Sequence, residues 1–178
     1  AKLLAFNLDA LQKIPTEEFE ERLLAWCKKY APEFAALGDK FSLFASANHE
    51  RSKTFQDAVD TSKFLICEDD AISWEESKPV KKALLKGEVT GLSRMPAIIE
   101  AFTALENWDA ESIDACLHKL ADSLADGALG KVAQPVRIAV AGGPVSPPIG
   151  DTLVLLGRDS TLCRLSRCLE HFSAVCDV

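Results

Sequence analysis

The residue types best suited to chemistry in this chain gather between Lys131 and Ile149. The run Lys131-Val132-Ala133-Gln134-Pro135-Val136-Arg137 leads through Gly142-Gly143-Pro144 to Ser146-Pro147-Pro148-Ile149. Arg137 carries a planar fork of donors that can hydrogen-bond a base edge, stack on a base or pair with a phosphate. Ser146 is expected as a helix N-cap, with Pro147 and Pro148 in the first turn, where a missing N–H costs nothing. Such a corner holds its neighbours still, and Pro and Ile beside it offer apolar surface to an unstacked base. Residue types alone favour a plainer alternative, in which Arg137 binds loop carbonyls and the Ser-Pro-Pro corner is only a tight turn.

Other chemistries are poorly supported. The Gly142-Gly143-Pro144 loop matches neither G-x-G-x-x-G nor G-x-x-x-x-G-K-[ST], and its prolines remove N–H groups that a phosphate cradle would use. His49, His118 and His171 have no nucleophile or paired acid at motif spacing, so no catalytic residue is assigned. Glu68, Asp69, Asp70, Glu75 and Glu76 read as a solvated acidic surface. Cys168 and His171, three apart on one helix face, are the only hint of a metal site, and no C-x-x-C pair or second His completes it. The six cysteines read as reduced thiols, four of them in apolar stripes.

Positioning these residues requires helices. Phe19, Leu23, Trp26, Cys27 and Tyr30 follow helical spacing, with Thr16 as the expected N-cap. A helix is expected over Asp39 to His49, and another opens at the capping box Thr54-Phe55-Gln56-Asp57 and continues to Ile66. Pro79 leads a short basic helix, Val80 to Lys86, closed by Gly87. Ser93 with Pro96 begins the next, and Asp109 caps one whose Ile113, Cys116, Leu117, Leu120 and Leu124 form a stripe. Ile149, Leu153 and Leu156 mark a helix stopped by Gly157, and Leu162, Leu165, Leu169 and Phe172 mark the last. Phe64 to Cys67 and Val136 to Val140 also fit short buried strands, which leaves an α/β nucleotide-binding enzyme open.

The chain has 178 residues, of which 48% are hydrophobic, enough for one good-sized core or two small ones. With no apolar run near the roughly 18 residues of a membrane span, and no apolar N-terminal segment, a soluble cytoplasmic protein without a membrane partner is expected. Ala1 stands first and Met95 is the single Met, so a piece of a longer protein is expected. The formal charge of −7 argues against general affinity for phosphate backbones. Its distribution is uneven. Residues 128–169 carry Lys131, Arg137, Arg158, Arg164 and Arg167 against Asp151 and Asp159, whereas the first 127 residues carry 15 basic and 23 acidic groups. An anionic partner is therefore expected on the C-terminal third.

The run "GKVAQPVRIAVAGGPVSPP" followed by "LVLLGRDSTLCRL" resembles the C-terminal signature of bacterial-type glutamyl-tRNA synthetases. That signature comprises a Gln-Pro-x-Arg helix, a Gly-containing turn, Ser/Thr-Pro at the next helix start, and Leu-Leu-Gly-Lys/Arg before the last helix. Upstream, "LLKGEVTGL", "ALENWDAESIDACLHKLADSLADGALG" and "ERSKTFQDAVDTSKFLICED" resemble the family more weakly, and "KLLAFNLDALQKIPTEEFEERLLAW" is similar to its link from the stem-contact region. There Ala5-Phe6 replace a usual Leu/Trp pair.

The resemblance implies an all-α, two-subdomain helical bundle, a cage-like anticodon-binding region for the glutamate tRNA anticodon stem-loop. A first subdomain over residues 1–88, its first fifteen residues the tail of the stem-contact region, and a second over 89–178 would meet at a seam near Gly87 to Gly91. Carried onto this chain, the signature arginine is Arg137, and the base-facing helix start is Ser146, Pro147 and Ile149. Lys131 and Arg164 would add phosphate contacts, and Arg51 and Lys53 face the same question in the first subdomain. The parent enzyme, expected as a monomer, would join glutamate to tRNA using ATP and magnesium in a catalytic domain that this chain lacks, so no cofactor is assigned here. A free-standing helical protein-interaction module derived from such a domain is the alternative, in keeping with the acidic first part.

Overall fold

The computed structural model describes the backbone of residues 2–176 and the side chains of residues 4–174, so Ala1 and the Cys176 thiol lie outside the described residues. Among the described residues there are eleven α-helices, two short 3-10 turns and no strand. Two compact units divide the chain after Ile66.

In the first unit α1 (Lys2–Lys13) comes first and keeps its described side chains largely exposed, while α2 (Thr16–Tyr30), the single turn α3 (Pro32–Ala35), α4 (Phe41–His49) and α5 (Phe55–Asp60) supply an aromatic core. Phe19, Leu23 and Cys27 come from the predicted stripe of α2, and Phe34, Phe41 and Phe44 meet them with ring centroids 5.3 and 5.4 Å apart within that trio. Burying rings of this size stabilises by about 2–3 kcal/mol each, which explains how so small a unit holds together. Buried His49 lies 2.8 Å from the Leu11 carbonyl through Nε2 and 3.3 Å from the Thr16 hydroxyl through Nδ1. A carbonyl only accepts, so Nε2 donates to Leu11, and the Thr16 hydroxyl faces Nδ1. Thr16 is therefore not the N-cap that its residue type predicts. Pro15 occupies that position, and the Thr16 hydroxyl serves His49 instead.

The predicted capping box at Thr54 is present, with Asp57 N–H on Thr54 Oγ1 at 3.0 Å and the Thr54 N–H on the Asp57 carboxylate at 3.1 Å. The helix does not run on to Ile66 as expected. It stops at Asp60, where the Thr61 hydroxyl binds the Asp57 carbonyl, and the strand-like Phe64-Leu65-Ile66 forms a 3-10 turn.

The second unit holds α6 (Lys78–Leu85), α7 (Gly91–Thr103), α8 (Ala110–Leu124), α9 (Gly130–Ala141), α10 (Ile149–Leu156) and α11 (Arg158–Cys176). One core joins them: Val80 and Leu84 of α6, Met95, Ile98 and Phe102 of α7, Leu117 of α8, Val136 and Ile138 of α9, Leu153 of α10 and Leu165 of α11. Caps fall where residue types predict at Asp109, and Thr90 rather than Ser93 caps α7. The Asp109 carboxylate, held by the Ser112 amide and hydroxyl, sits below the usual carboxylate range. Val136 to Val140, the second strand candidate, is helical throughout and almost wholly buried.

The seam expected near Gly87 to Gly91 lies earlier in packing terms, because residues 67–88 belong to the second unit. Two contacts explain this. Val80 and Leu84 sink into the second core, and the acidic segment before them is tied down by arginines of α11. Arg164 is 1% exposed. Its Nε meets the Asp69 carboxylate at 2.6 Å, Nη2 donates to the Cys67 carbonyl at 2.6 Å, and Nη1 donates to the Val140 carbonyl at 2.9 Å. Arg167 donates to the carbonyls of Asp69 and Asp70. Trp74 follows, its indole N–H on the Ala139 carbonyl at 3.1 Å, and the Glu75 N–H reaches the Gly142 carbonyl at 2.9 Å. The segment is thus a strap tied to α9 and α11 mainly through its backbone, while Glu68, Asp70, Glu75 and Glu76 are exposed as expected and Asp69 alone is drawn into an ion pair.

Two residues have testable roles here. Arg164→Ala removes one partner of a mostly buried pair and strands two carbonyls. Asp69 keeps some solvent contact, so the loss should be about 3 kcal/mol, read as a lowered urea midpoint. A Cβ at Gly91 would stand 2.3 Å from the Ala83 carbonyl oxygen and 2.5 Å from Pro135 Cγ, neither of which can swing away. Gly91→Ala should therefore cost about 1–3 kcal/mol in thermal unfolding, against the small gain that alanine normally brings to a helix.

Candidate nucleic-acid interface

Arg137 lies on α9, half-buried, three residues after Gln134 and therefore on the same side of the helix. Gln134 is the residue that connects this helix to the corner, since its amide donates to the Pro144 carbonyl at 2.9 Å. Between them α9 ends at Gly142, whose φ of 79° is left-handed. A Cβ there would also approach the Ser73 carbonyl to 2.5 Å, so glycine is required both by backbone and by strap.

The corner itself is built differently from its sequence expectation. Pro148, not Ser146, is the N-cap of α10, and no side chain caps that helix. Ser146 is 4% exposed and turned inward: its hydroxyl meets that of Thr152 at 3.0 Å, while the Thr152 hydroxyl reaches the Pro147 carbonyl at 3.1 Å. The stiffness that Ser-Pro-Pro promised is present, but it comes from this buried hydroxyl pair rather than from a capping bond. Pro147 is buried too, and Ile149 is half-buried against the core. The outward surface of the corner is formed by Val145, which is 63% exposed, and Pro148. Nothing in the residue types singled out those two, because their exposure follows from the way the hydroxyl pair turns the chain.

Of the remaining cations, Lys131 is exposed at the start of α9. Arg51 and Lys53 are exposed on the link between α4 and α5, where Lys53 N–H joins the Asp57 carboxylate at 2.9 Å. Arg164 corrects its expectation as a phosphate contact: it is locked in the core by the strap. Arg158 and Arg167 are likewise engaged inside the protein. Arg158 donates to the Leu105 carbonyl at 2.6 Å and lies 5.3 Å from the Trp108 ring, and Arg167 lies 5.8 Å from Trp74. Three of the five basic residues counted in the C-terminal third are therefore bound up in the fold. The surface positive charge of that third is smaller than its composition implies.

The Cys168 and His171 pair is drawn into packing. Cys168 is fully buried, with its thiol pushed up to about 12 by burial, and His171 lies against Trp74 with centroids 5.0 Å apart. Among the described residues no group of three or more His, Cys, Asp or Glu is arranged to hold a metal ion, and no helix is long and apolar enough to cross a membrane.

A family profile described as the anticodon binding domain matches residues 16–169. The chain is 37% identical to glutamate–tRNA ligase 1 of Acidithiobacillus ferrooxidans over 93% of its own length and 34% of the relative. It is 35% identical to the glutamate–tRNA ligase of Myxococcus xanthus, over 96% of this chain and 34% of that protein. Among solved structures, the glutamate-tRNA synthetase of Elizabethkingia anophelis superposes with a TM-score of 0.66 at 25% identity, covering 94% of this chain and 31% of that one. The chain thus spans about a third of the length of the curated relatives it matches. With its helical fold, the Gln134-bound corner and a profile match over most of its length, the chain belongs to the anticodon binding domain family and is homologous to the C-terminal region of glutamate–tRNA ligases.

Proposed function

We propose that this chain reads the anticodon stem-loop of glutamate tRNA as part of a glutamate–tRNA ligase that acts as a monomer, the ligation itself being performed by other parts of that enzyme with ATP and magnesium. The observation that carries this reading is the bond from Gln134 to the Pro144 carbonyl, which holds the helix of Arg137 and the Val145–Ile149 corner in one rigid piece. An arginine fork on the helix that is tied to a corner of exposed apolar surface suits unstacked bases, which are read by stacking and edge hydrogen bonds. Arg137, Val145, Pro148 and Ile149 are the residues assigned to that contact. Ser146 and Pro147 support them from inside, and Arg51 and Lys53 are left as backbone contacts.

The reading is tested by titrating the chain with a cognate anticodon hairpin and with one altered at the central anticodon base, at near-physiological salt. Tighter binding of the cognate hairpin is expected, and equal affinities would sink base reading. Arg137→Ala should weaken the cognate complex by about 1–3 kcal/mol and narrow the difference between the two hairpins. Binding that ignores salt altogether would favour the protein-interaction module instead.

A further inference from the structure

A groove of about 870 Å³ opens in the second unit between α6, α7 and α9. Four cations line it from three separate elements: Lys82 on α6, Lys86 just beyond it, Arg94 on α7 and Lys131 in the first turn of α9. The lysines are exposed, and among the described residues none of the four is within ion-pair distance of a carboxylate, although Glu88 and Asp126 also border the groove. Arg94 is the unusual member. It is 7% exposed, and its partners are all neutral: Nε donates to the Leu124 carbonyl at 3.0 Å and Nη1 to the carbonyls of Val89 and Thr90 at 2.9 and 3.1 Å. Its Nη2 has no hydrogen-bond partner among the described residues.

A guanidinium buried to this degree normally carries a carboxylate or phosphate beside it, because desolvating an unneutralised charge is costly. Here no counter-anion stands beside it among the described residues. Three lysines stand around the same groove, which repeats the deficit on its rim. Gln134 and Pro135 form the wall nearest the corner, and Gln134 is the residue whose amide holds the Pro144 carbonyl. The groove is therefore continuous with the base-reading corner through one side chain.

Building on the anticodon reading above, we propose that this groove is a phosphodiester site, holding the RNA strand that runs on from the bases at the corner. Arg94 supplies the fixed donor at its floor, and Lys82, Lys86 and Lys131 neutralise neighbouring phosphates from the rim. Lysines act there as point charges without a base code, so the contact adds affinity and register but no sequence preference. At the floor Gly91 lets α7 pack directly against Ala83 of α6 and Pro135 of α9, where a side chain would collide with both.

The test compares the 178-residue chain with the triple variant Lys82→Gln, Lys86→Gln, Lys131→Gln, by fluorescence anisotropy on the cognate and base-altered hairpins across a salt series. Each lost phosphate contact removes about 0.7–0.9 from the slope of log affinity against log salt. The variant should bind both hairpins about tenfold or more weakly, with a slope shallower by about 2–3 and an unchanged ratio between hairpins. Lys81→Gln, an exposed neighbour on α6 outside the groove, should leave affinity and slope as they were. An unchanged triple-variant slope, or a loss confined to the cognate hairpin, overturns the proposal. Should the triple variant lose its helical circular dichroism, Lys82→Gln and Lys131→Gln singly are each expected to reduce the slope by one contact, and unchanged slopes overturn it equally. If the unmodified chain binds neither hairpin, the anticodon reading itself has failed, a result visible before any variant is made.

Discussion

The Arg164 guanidinium, all but excluded from water, is shared between the Cys67 carbonyl, the Asp69 carboxylate and the Val140 carbonyl. These contacts come from the strap and from the last turns of α9, while the Arg164 backbone belongs to α11. A buried charge with directional partners tolerates few alternatives, because any slip leaves a charge or a carbonyl unsatisfied in a place water cannot reach. The strap is thereby fixed in register. From that register follow the Trp74 bond to Ala139, the Glu75 bond to Gly142, and the close approach of Ser73 that demands glycine at the end of α9. The corner that carries Val145 and Pro148 starts at that glycine, so the outward face of the candidate interface depends on a salt bridge nowhere near its surface.

Charge in this chain works at two levels. Its arginines mostly organise the fold: Arg94, Arg158, Arg164 and Arg167 all donate to backbone carbonyls, a task for which a planar fork with five donors is better suited than an ammonium. Its described lysines stay outside and carry the field. That division reconciles a net charge of −7 with an RNA-binding family. Attraction depends on where uncompensated cations converge, and the groove beside α9 gathers them, while in the strap the Asp69 carboxylate is paired with Arg164.

Several helices have an identity that is local. The capping box at Thr54, the Asp109 cap and the Gly157 stop are decided within a few residues by hydrogen bonds that the neighbouring positions either offer or lack. The two ambiguous apolar runs were undecidable on those terms, because Val136 to Val140 is buried nearly all round and shows no periodicity that separates helix from strand. Ser146 departs from its residue type for the opposite reason. Serine ahead of proline is a good local N-cap, but a second hydroxyl at Thr152 offered a better partner from the interior.

The amino-acid sequence by itself determined most of the helices and the family signature around Arg137, from which the all-helical class is implied, since these rest on spacing and on neighbours in the chain. Tertiary structure alone decided which cations face outward. Arg164 and Lys131 look equivalent as letters, yet one is locked to Asp69, 95 positions away, and the other stands in the open rim of a groove. The unit boundary after Ile66 was decided the same way, by Val80, Leu84 and the arginine-held strap. Such outcomes follow from burial and long-range charge pairing, which depend on how distant segments pack and leave no periodic trace in the order of residues.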